Sequence, residues 1–349
     1  MVPAHTRPVQ VDVIPDQQGN PSVIWIQTPF TTPKQSRGMM VSFEEVPSLL
    51  TKLATATGIE TDTSYQPPAD TQSSSPHALH VKLIDKDSAA ECPELLDYAD
   101  PPVIAISRAS HTGTTPKAIG ISLDQAASLH DALVEASEEF TAWRATSFYN
   151  EGTRKMQLGR HREAISDLRQ SIEADPRHYL AVFNLAMCYD LLGETQQAWA
   201  CYERASQLDS SDPDPFYNMA EIMFRCQALD RAEALCRHAL RLFTQRFSTA
   251  QWAPHAPWEQ DLSKDQYLAD LAWKKANAHH LMALIAANQG KHQIAVQSAQ
   301  QAVSLYPGNA EWWLLIAQLH QHLGNTPEAQ RAIARAIEID PGIARRAFG

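Results

Sequence analysis

Residues 145–178 read ATSFYNEGTRKMQLGRHREAISDLRQSIEADPRH, and residues 179–212 read YLAVFNLAMCYDLLGETQQAWACYERASQLDSSD. Aligned without gaps, they place Gly152 over Ala186, Ala164 over Ala198 and Leu158-Gly159 over Leu192-Gly193, a period of 34 residues. A third copy supplies Ala220 and Ala232. After an interruption the frame resumes with Ala283, Ala295 and Pro307, then Ala317, Ala329 and Pro341, while Pro176 closes the first copy. Small residues at frame positions 8 and 20, with a helix-ending Pro at 32, are what two closely packed antiparallel helices require. Such a unit cannot bury its apolar faces alone, so stability comes from stacking on its neighbours.

The frame predicts repeats at about 145–178, 179–212, 213–246, 276–309 and 310–343, within an all-helical region of residues 141–349. Position 8 faces the second helix at close range, position 20 packs between repeats, and Leu-Gly at 14–15 turns the chain. The third repeat departs at Gln227, where the turn Gly is expected. Between repeats three and four, Phe247–Ser263 forms an insertion containing Trp252, Pro254, Pro257 and Trp258. Two readings stand: a loop folding over a groove with aromatic contacts, or an insertion whose tryptophans pack on the outer surface.

Residues 1–140 have a different texture. Val23–Ile26 and Val103–Ile106 are short β-rich runs, each followed by a Thr/Pro/Lys loop, a second strand (Met39–Phe43, Ile119–Leu123) and a helix (Glu44–Ala56, Asp124–Glu138). The two blocks align at an offset of 80, with Pro21/Pro101, Val23/Val103, Ile24/Ile104, Ser42/Ser122 and Leu53/Leu133 identical. Upstream, Val11–Ile14 is matched by Val81–Ile84. The reading is a duplicated β-β-β-α module: a first unit at 1–60, a flexible linker at 61–77 rich in Ser, Thr, Pro and Gln, and a second unit at 78–140. The fold class expected is therefore an α+β N-terminal module followed by an all-α superhelix. The exposed sheet faces of the two units are covered either by each other, as an intrachain pseudo-dimer, or by a homo-oligomer.

Charge separates the halves. Residues 1–140 hold 18 acidic and 8 basic residues, against 22 and 21 in the remainder. A surface built for phosphates is not expected in the acidic half. The five cysteines are odd in number, form no Cys-x-x-Cys, and four fall in repeat helices, as small core residues do. No apolar run is long enough to cross a membrane, and the start lacks an apolar signal core, so a cytoplasmic setting is expected.

The C-terminal half resembles tetratricopeptide repeats. The resemblance rests on Phe148, Gly152, Ala164 and Pro176 in the first copy, on Ala186, Tyr189, Ala198 and Tyr202 in the second, and on the corresponding small residues in the others. It implies a superhelix in which the first helix of each repeat lines a concave groove that holds a protein or peptide partner. On those helices Asn150, Asn184 and Asn218 recur at position 6, and Tyr149, Phe183 and Tyr217 at position 5. A carboxamide can bind a peptide backbone through both its carbonyl and its NH₂, and an aromatic beside it can grip an apolar side chain. These six residues are the predicted partner contacts, although the same residues are also common in the repeat scaffold. The resemblance extends to no basic clamp: the groove positions hold Thr153, Met156, Met187, Asp190 and Glu221, with Arg225 nearly alone. A neutral or apolar ligand is expected. In repeats four and five, Leu281 and Leu315 replace the Asn row.

The second N-terminal unit, through Ile104–Arg108 and Lys117–Leu123, resembles the single-stranded-DNA-binding fold of positive cofactor four and of the purine-rich-element-binding proteins. That resemblance implies Trp25, Lys34, Arg37, Arg108 and Lys117 as candidate nucleic-acid contacts, against an acidic background. No phosphate loop, His-Glu-x-x-His or Gly-x-Ser-x-Gly is present. Adjacent His279 and His280 point about 100° apart on a helix, a poor metal pair. The sequence thus points to a non-enzymatic interaction scaffold with no metal and no cofactor, the alternative being a nucleic-acid-associated transcriptional regulator that recruits protein through its repeats.

Overall fold

A computed structural model of the chain describes residues 9–15, 21–27, 38–43, 45–57, 79–84, 103–108, 118–249 and 263–343. The chain divides into two compact units, Met1–Arg144 and Ala145–Gly349, and is mostly helical.

In the first unit β1 (Gln10–Pro15), β2 (Pro21–Gln27) and β3 (Gly38–Ser42) form an antiparallel sheet in that order, followed by α1 (Val46–Thr57). A second sheet of β4 (Leu79–Ile84), β5 (Val103–Arg108) and β6 (Ala118–Ser122) is followed by α2 (Leu123–Gln157). The register is the same in both: Ile24 faces Val41, and Ile104 faces Ile121. Alternation decides which face is buried. Ile24, Ile26, Met39 and Val41 point inward, where they meet Val46, Leu49 and Leu53 of α1. Ile106 and Ile121, with Leu129 and Leu133 of α2, belong to the same apolar cluster. The ring of Phe43 stacks on Phe140 at 3.9 Å.

In the second unit each repeat is a helix pair. The first comprises the end of α2 and α3 (His161–Ala174); the second, α4 (Tyr179–Leu191) and α5 (Thr195–Leu208); the third, α6 (Pro213–Arg225) and α7 (Leu229–Thr249). The fourth and fifth are α8 (Lys264–Asn288) with α9 (His292–Leu305), and α10 (Ala310–His322) with α11 (Thr326–Ile339). The small residues sit where the helices touch. Ala186, Ala220, Ala283 and Ala317 at position 8 are buried, as are Ala164, Ala198, Ala232, Ala295 and Ala329 at position 20. Position 27 is a third such row: Ser171, Ala205, Ala239, Ala302 and Ala336 are each fully buried. Ser171 fits because its hydroxyl donates to the Ala145 carbonyl at 2.8 Å. At Gly152 a Cβ would lie 2.9 Å from Cγ of the fully buried Leu168, so the pair has closed to a distance that only glycine permits.

The turn inside each repeat is one motif. Gly159, Gly193, Gly290 and Gly324 have φ of 73–77°. In each case the glycine N–H bonds three residues back and the next N–H five back, a helix-terminating Schellman arrangement. Gln227 does the same with φ 58°, bonding Phe224 O, while Ala228 N bonds Met223 O. The missing glycine of the third repeat therefore does not change the turn; glutamine takes the left-handed conformation imposed by the packing on either side. The long α7 and α8 carry the pattern beyond the frame, and Phe243, Tyr267 and Leu271 form a further cluster between their extensions. Trp252 and Trp258 of the insertion, and the 61–77 linker, lie outside the described residues.

Two expectations follow. Gln227→Gly relieves a left-handed side chain and stabilises the repeat unit by about 1 kcal/mol; an unchanged midpoint in urea would show that the conformation is unstrained. Gly152→Ala destabilises by about 1 kcal/mol, because overpacking against Leu168 outweighs the gain in helix propensity, and the same denaturation curve reads it.

Candidate partner-binding site

On the first helix of each repeat, positions 5, 9 and 12 follow one another at intervals of four and three residues, and position 6 leads to position 9 at an interval of three. The structure does not place the six predicted contacts alike. Asn150 is exposed. Asn184 is buried and has spent its carboxamide: its Nδ2 donates to Thr153 Oγ1 at 3.1 Å, joining repeat two to repeat one. Asn218 is half-buried, and its side chain forms no hydrogen bond among the described residues. The 34-residue frame explains the difference. Position 9 of the preceding repeat is Thr153 in one case and Met187 in the other, and a thioether offers a carboxamide little.

The aromatic row is similarly uneven. Tyr149 is buried, 4.9 Å from the ring of His178. Burial raises the pKa of its phenol, against the opposing pull of hydrogen bonds with Thr153 and Asn184. Phe183 is half-buried, edge-on to Tyr202 at 5.6 Å and stacked on Tyr179 at 6.1 Å. Tyr217 is half-buried and donates to Glu221 Oε1 at 2.7 Å. Two of the six, Tyr149 and Asn184, thus serve packing between repeats, and Asn150 and Asn218 are the carboxamides left uncommitted.

The charged groups of this face are paired among themselves. Arg225, the cation expected to stand nearly alone, is held by Asp190 from the preceding repeat. Glu221 is half-buried; desolvation raises its pKa, opposed by Tyr217 and Arg225. Over repeats four and five the face turns apolar, with Leu281 buried and Leu284 and Leu315 half-buried. His280 stacks on Trp312 at 5.3 Å, and burial lowers the pKa of His280 to about 4. Along the stack, therefore, the face runs from carboxamides and hydroxyls to leucines.

One network was invisible in the linear frame. Asp212 caps α6 at Asp214 N, accepts the Tyr179 hydroxyl at 2.5 Å and lies 3.6 Å from Arg246. Beside it Lys274, from the overhanging turns of α8, lies 3.0 Å from Asp214 and 3.3 Å from Asp270. Burial alone would lower the pKa of Lys274; the two carboxylates more than reverse this and hold the ammonium charged. Because the frame gap interrupts the sequence here, only the periodic acidic and basic residues of α8 hinted at it.

Of the candidate nucleic-acid contacts, Lys34, Arg37 and Lys117 lie outside the described residues, as do the side chains of Trp25 and Arg108. No cluster of three or more metal-ligating side chains occurs among the described residues. No described helix is long and apolar enough to cross a membrane.

Residues 149–213 and 286–347 each match a tetratricopeptide-repeat family. The second unit thus carries tetratricopeptide repeats, a fold used for protein–protein interaction. The BBSome complex member BBS4 homolog of Drosophila melanogaster is 20% identical over 195 residues, covering 55% of this chain and 36% of that protein. The chain spans about a third of that relative's length. Among solved structures, MamA (residues 41–end) of Desulfovibrio magneticus RS-1 is 13% identical with a TM-score of 0.45, covering 59% of this chain and 98% of that one. YrrB, described as a TPR protein with an unusual peptide-binding site, is 16% identical with a TM-score of 0.42, covering 60% and 91%.

The raised Glu221 pKa has a measurable consequence. A carboxyl whose pKa is higher in the folded than in the unfolded state opposes folding when ionised, and that opposition vanishes once pH falls below the unfolded value. Glu221→Gln keeps an acceptor for Tyr217. It should raise the thermal midpoint at pH 7, and the gain should shrink on acidification through the interval between the two pKa values. An equal gain at pH 7 and pH 4 would contradict this.

Proposed function

We propose that this chain is a cytoplasmic, non-enzymatic adaptor or assembly factor that holds a partner peptide against the first-helix face of repeats one to three. The observation that carries the reading is Asn218. Its carboxamide is half-buried on the interaction face and unspent, whereas the equivalent Asn184 is consumed by Thr153. A peptide backbone offers the N–H and carbonyl that such a group pairs with. Met187 and Phe183, on the first helix of the preceding repeat, are half-buried and suit an apolar side chain. The self-paired Asp190 and Arg225 leave little net charge to attract an acidic tail, which favours a neutral or apolar ligand.

The duplicated β-β-β-α module, read as units 1–60 and 78–140 joined by the 61–77 segment, supplies a second contact surface or a means of self-association. The membership of the Drosophila relative in a complex is in keeping with an assembly role.

The test compares two asparagines. Affinity capture with Asn218→Ala should lose the partners held by the wild-type chain by about tenfold in affinity, equivalent to roughly 1.4 kcal/mol, with an unchanged melting temperature. Asn184→Ala should instead lower stability by about 1 kcal/mol through the lost Thr153 bond. If Asn218→Ala captures the same proteins to the same extent, the groove reading fails.

A further inference from the structure

Five of the fourteen histidines fall between residues 276 and 325: His279, His280, His292, His320 and His322. The same stretch holds one other basic residue, Lys291, and one carboxylate, Glu311. It runs from the framed part of α8 through α9 and α10, and so builds the junction between repeats four and five. With its histidines neutral this body carries almost no charge. Protonated, it gains five cations with a single carboxylate to answer them.

Two ring contacts cross the junction. His280 of α8 stacks on Trp312 of α10, with centroids 5.3 Å apart. Trp312 is buried in the apolar cluster that joins the two repeats through Ala283, Val296, Ile316 and Leu319. His280 Nδ1 is itself buried without a hydrogen-bond partner. Burial alone holds the pKa of His280 at about 4, below the ordinary 6.5. At the opposite end of α10, its last residue His322 lies parallel to His292, the first residue of α9, at 5.3 Å. Neutral imidazoles stack well, whereas two imidazolium charges at that separation repel. A cation at the first residue of a helix is further opposed by the helix dipole. The repeat frame does not require this pair, since the equivalent positions at the junction of repeats one and two hold His161 and Leu191.

The charged groups of the surrounding helices are engaged with one another. Between His292 and Leu305, α9 carries no Asp, Glu, Lys or Arg. Lys291 and Arg237 pair with Glu233 of α7, and these three stand around His279 on the α7 side. In the overhang of α8, Lys274 pairs with Asp270 and with Asp214 of α6, and Lys275 lies over the Phe247 ring. On α11, Glu328 and Glu338 pair with Arg331 and Arg335. Glu311 is exposed at the start of α10, and buried His320 meets the Asn325 carboxamide.

We infer that this junction is an acid-sensitive joint: protons taken up by His280 and by the His292–His322 pair undock repeat five from repeat four and uncover Trp312. The inference does not depend on the groove of repeats one to three. A base whose pKa is lower in the folded than in the unfolded state contributes stability that is complete above the unfolded value. For His280 that stability is lost as pH falls from 6.5 towards 4.

The test is hydrogen exchange of the full chain at pH 7.5 and pH 5.0, with each amide rate divided by its intrinsic rate at that pH. Opening of α10 and α11, taken relative to α4 and α5, should rise by about tenfold or more in acid. His280→Gln combined with His322→Gln should abolish that rise. Should the double variant fail to fold, His322→Gln alone, at an exposed position, should show a rise about threefold smaller than the wild-type chain. Rings with only a packing role would, when replaced, weaken α10 and α11 equally at both pH values. The inference is overturned if relative opening in the wild-type chain is the same at both pH values, or if the substituted chain keeps the wild-type rise.

Discussion

Everything in the helical unit depends on how closely two helices can approach. Where the helices of the repeats touch, the rows of small side chains are hydrogen, methyl or, at Ser171, a hydroxymethyl, and at Gly152 the partner Leu168 has taken the space a Cβ would need. Close approach brings backbone near backbone and lets larger residues on either side interdigitate, which is how interiors reach crystal-like packing density. It also fixes the turn. Once the helices are that near, the connecting residue must be left-handed, and Gln227 shows that the geometry is enforced even where glycine is absent.

The same regularity makes its exceptions informative. Because each repeat stacks on the next in one register, position 9 of one repeat meets position 6 of the following one. The identity of that pair sets the character of the face at each junction. Thr153 with Asn184 makes a hydrogen bond and closes the face; Met187, at the equivalent frame position, offers Asn218 no such bond. Leu281 and Leu315 at position 6 of the later repeats, with Leu284 at position 9 of repeat four, make it apolar. Polarity therefore changes along a scaffold whose backbone barely does, which allows one stack to offer chemically different surfaces.

The overhanging ends of α7 and α8 add contacts the frame does not contain. Phe243, Tyr267 and Leu271 extend the core past the repeat boundary, and Lys274 brings a charge to Asp214. Buried ion pairs of this kind recover their desolvation only with good partners, and Lys274 has two.

The 34-residue spacing of small residues by itself determined that the second half is a stack of helix pairs and where the chain turns, because these follow from local periodicity and the volume available at a crossing. It also marked Asn150, Asn184 and Asn218 as equivalent. Only the tertiary structure decided that they are not. Whether a carboxamide is spent depends on the residue brought opposite it from another repeat, and Thr153 and Met187 are interchangeable in a periodic pattern but not in a hydrogen bond. Within the aromatic row Tyr149 is buried while Phe183 and Tyr217 are half-buried, since burial is a property of neighbours rather than of spacing. The ion pair that occupies Arg225 likewise required side chains far apart in the chain to be placed together.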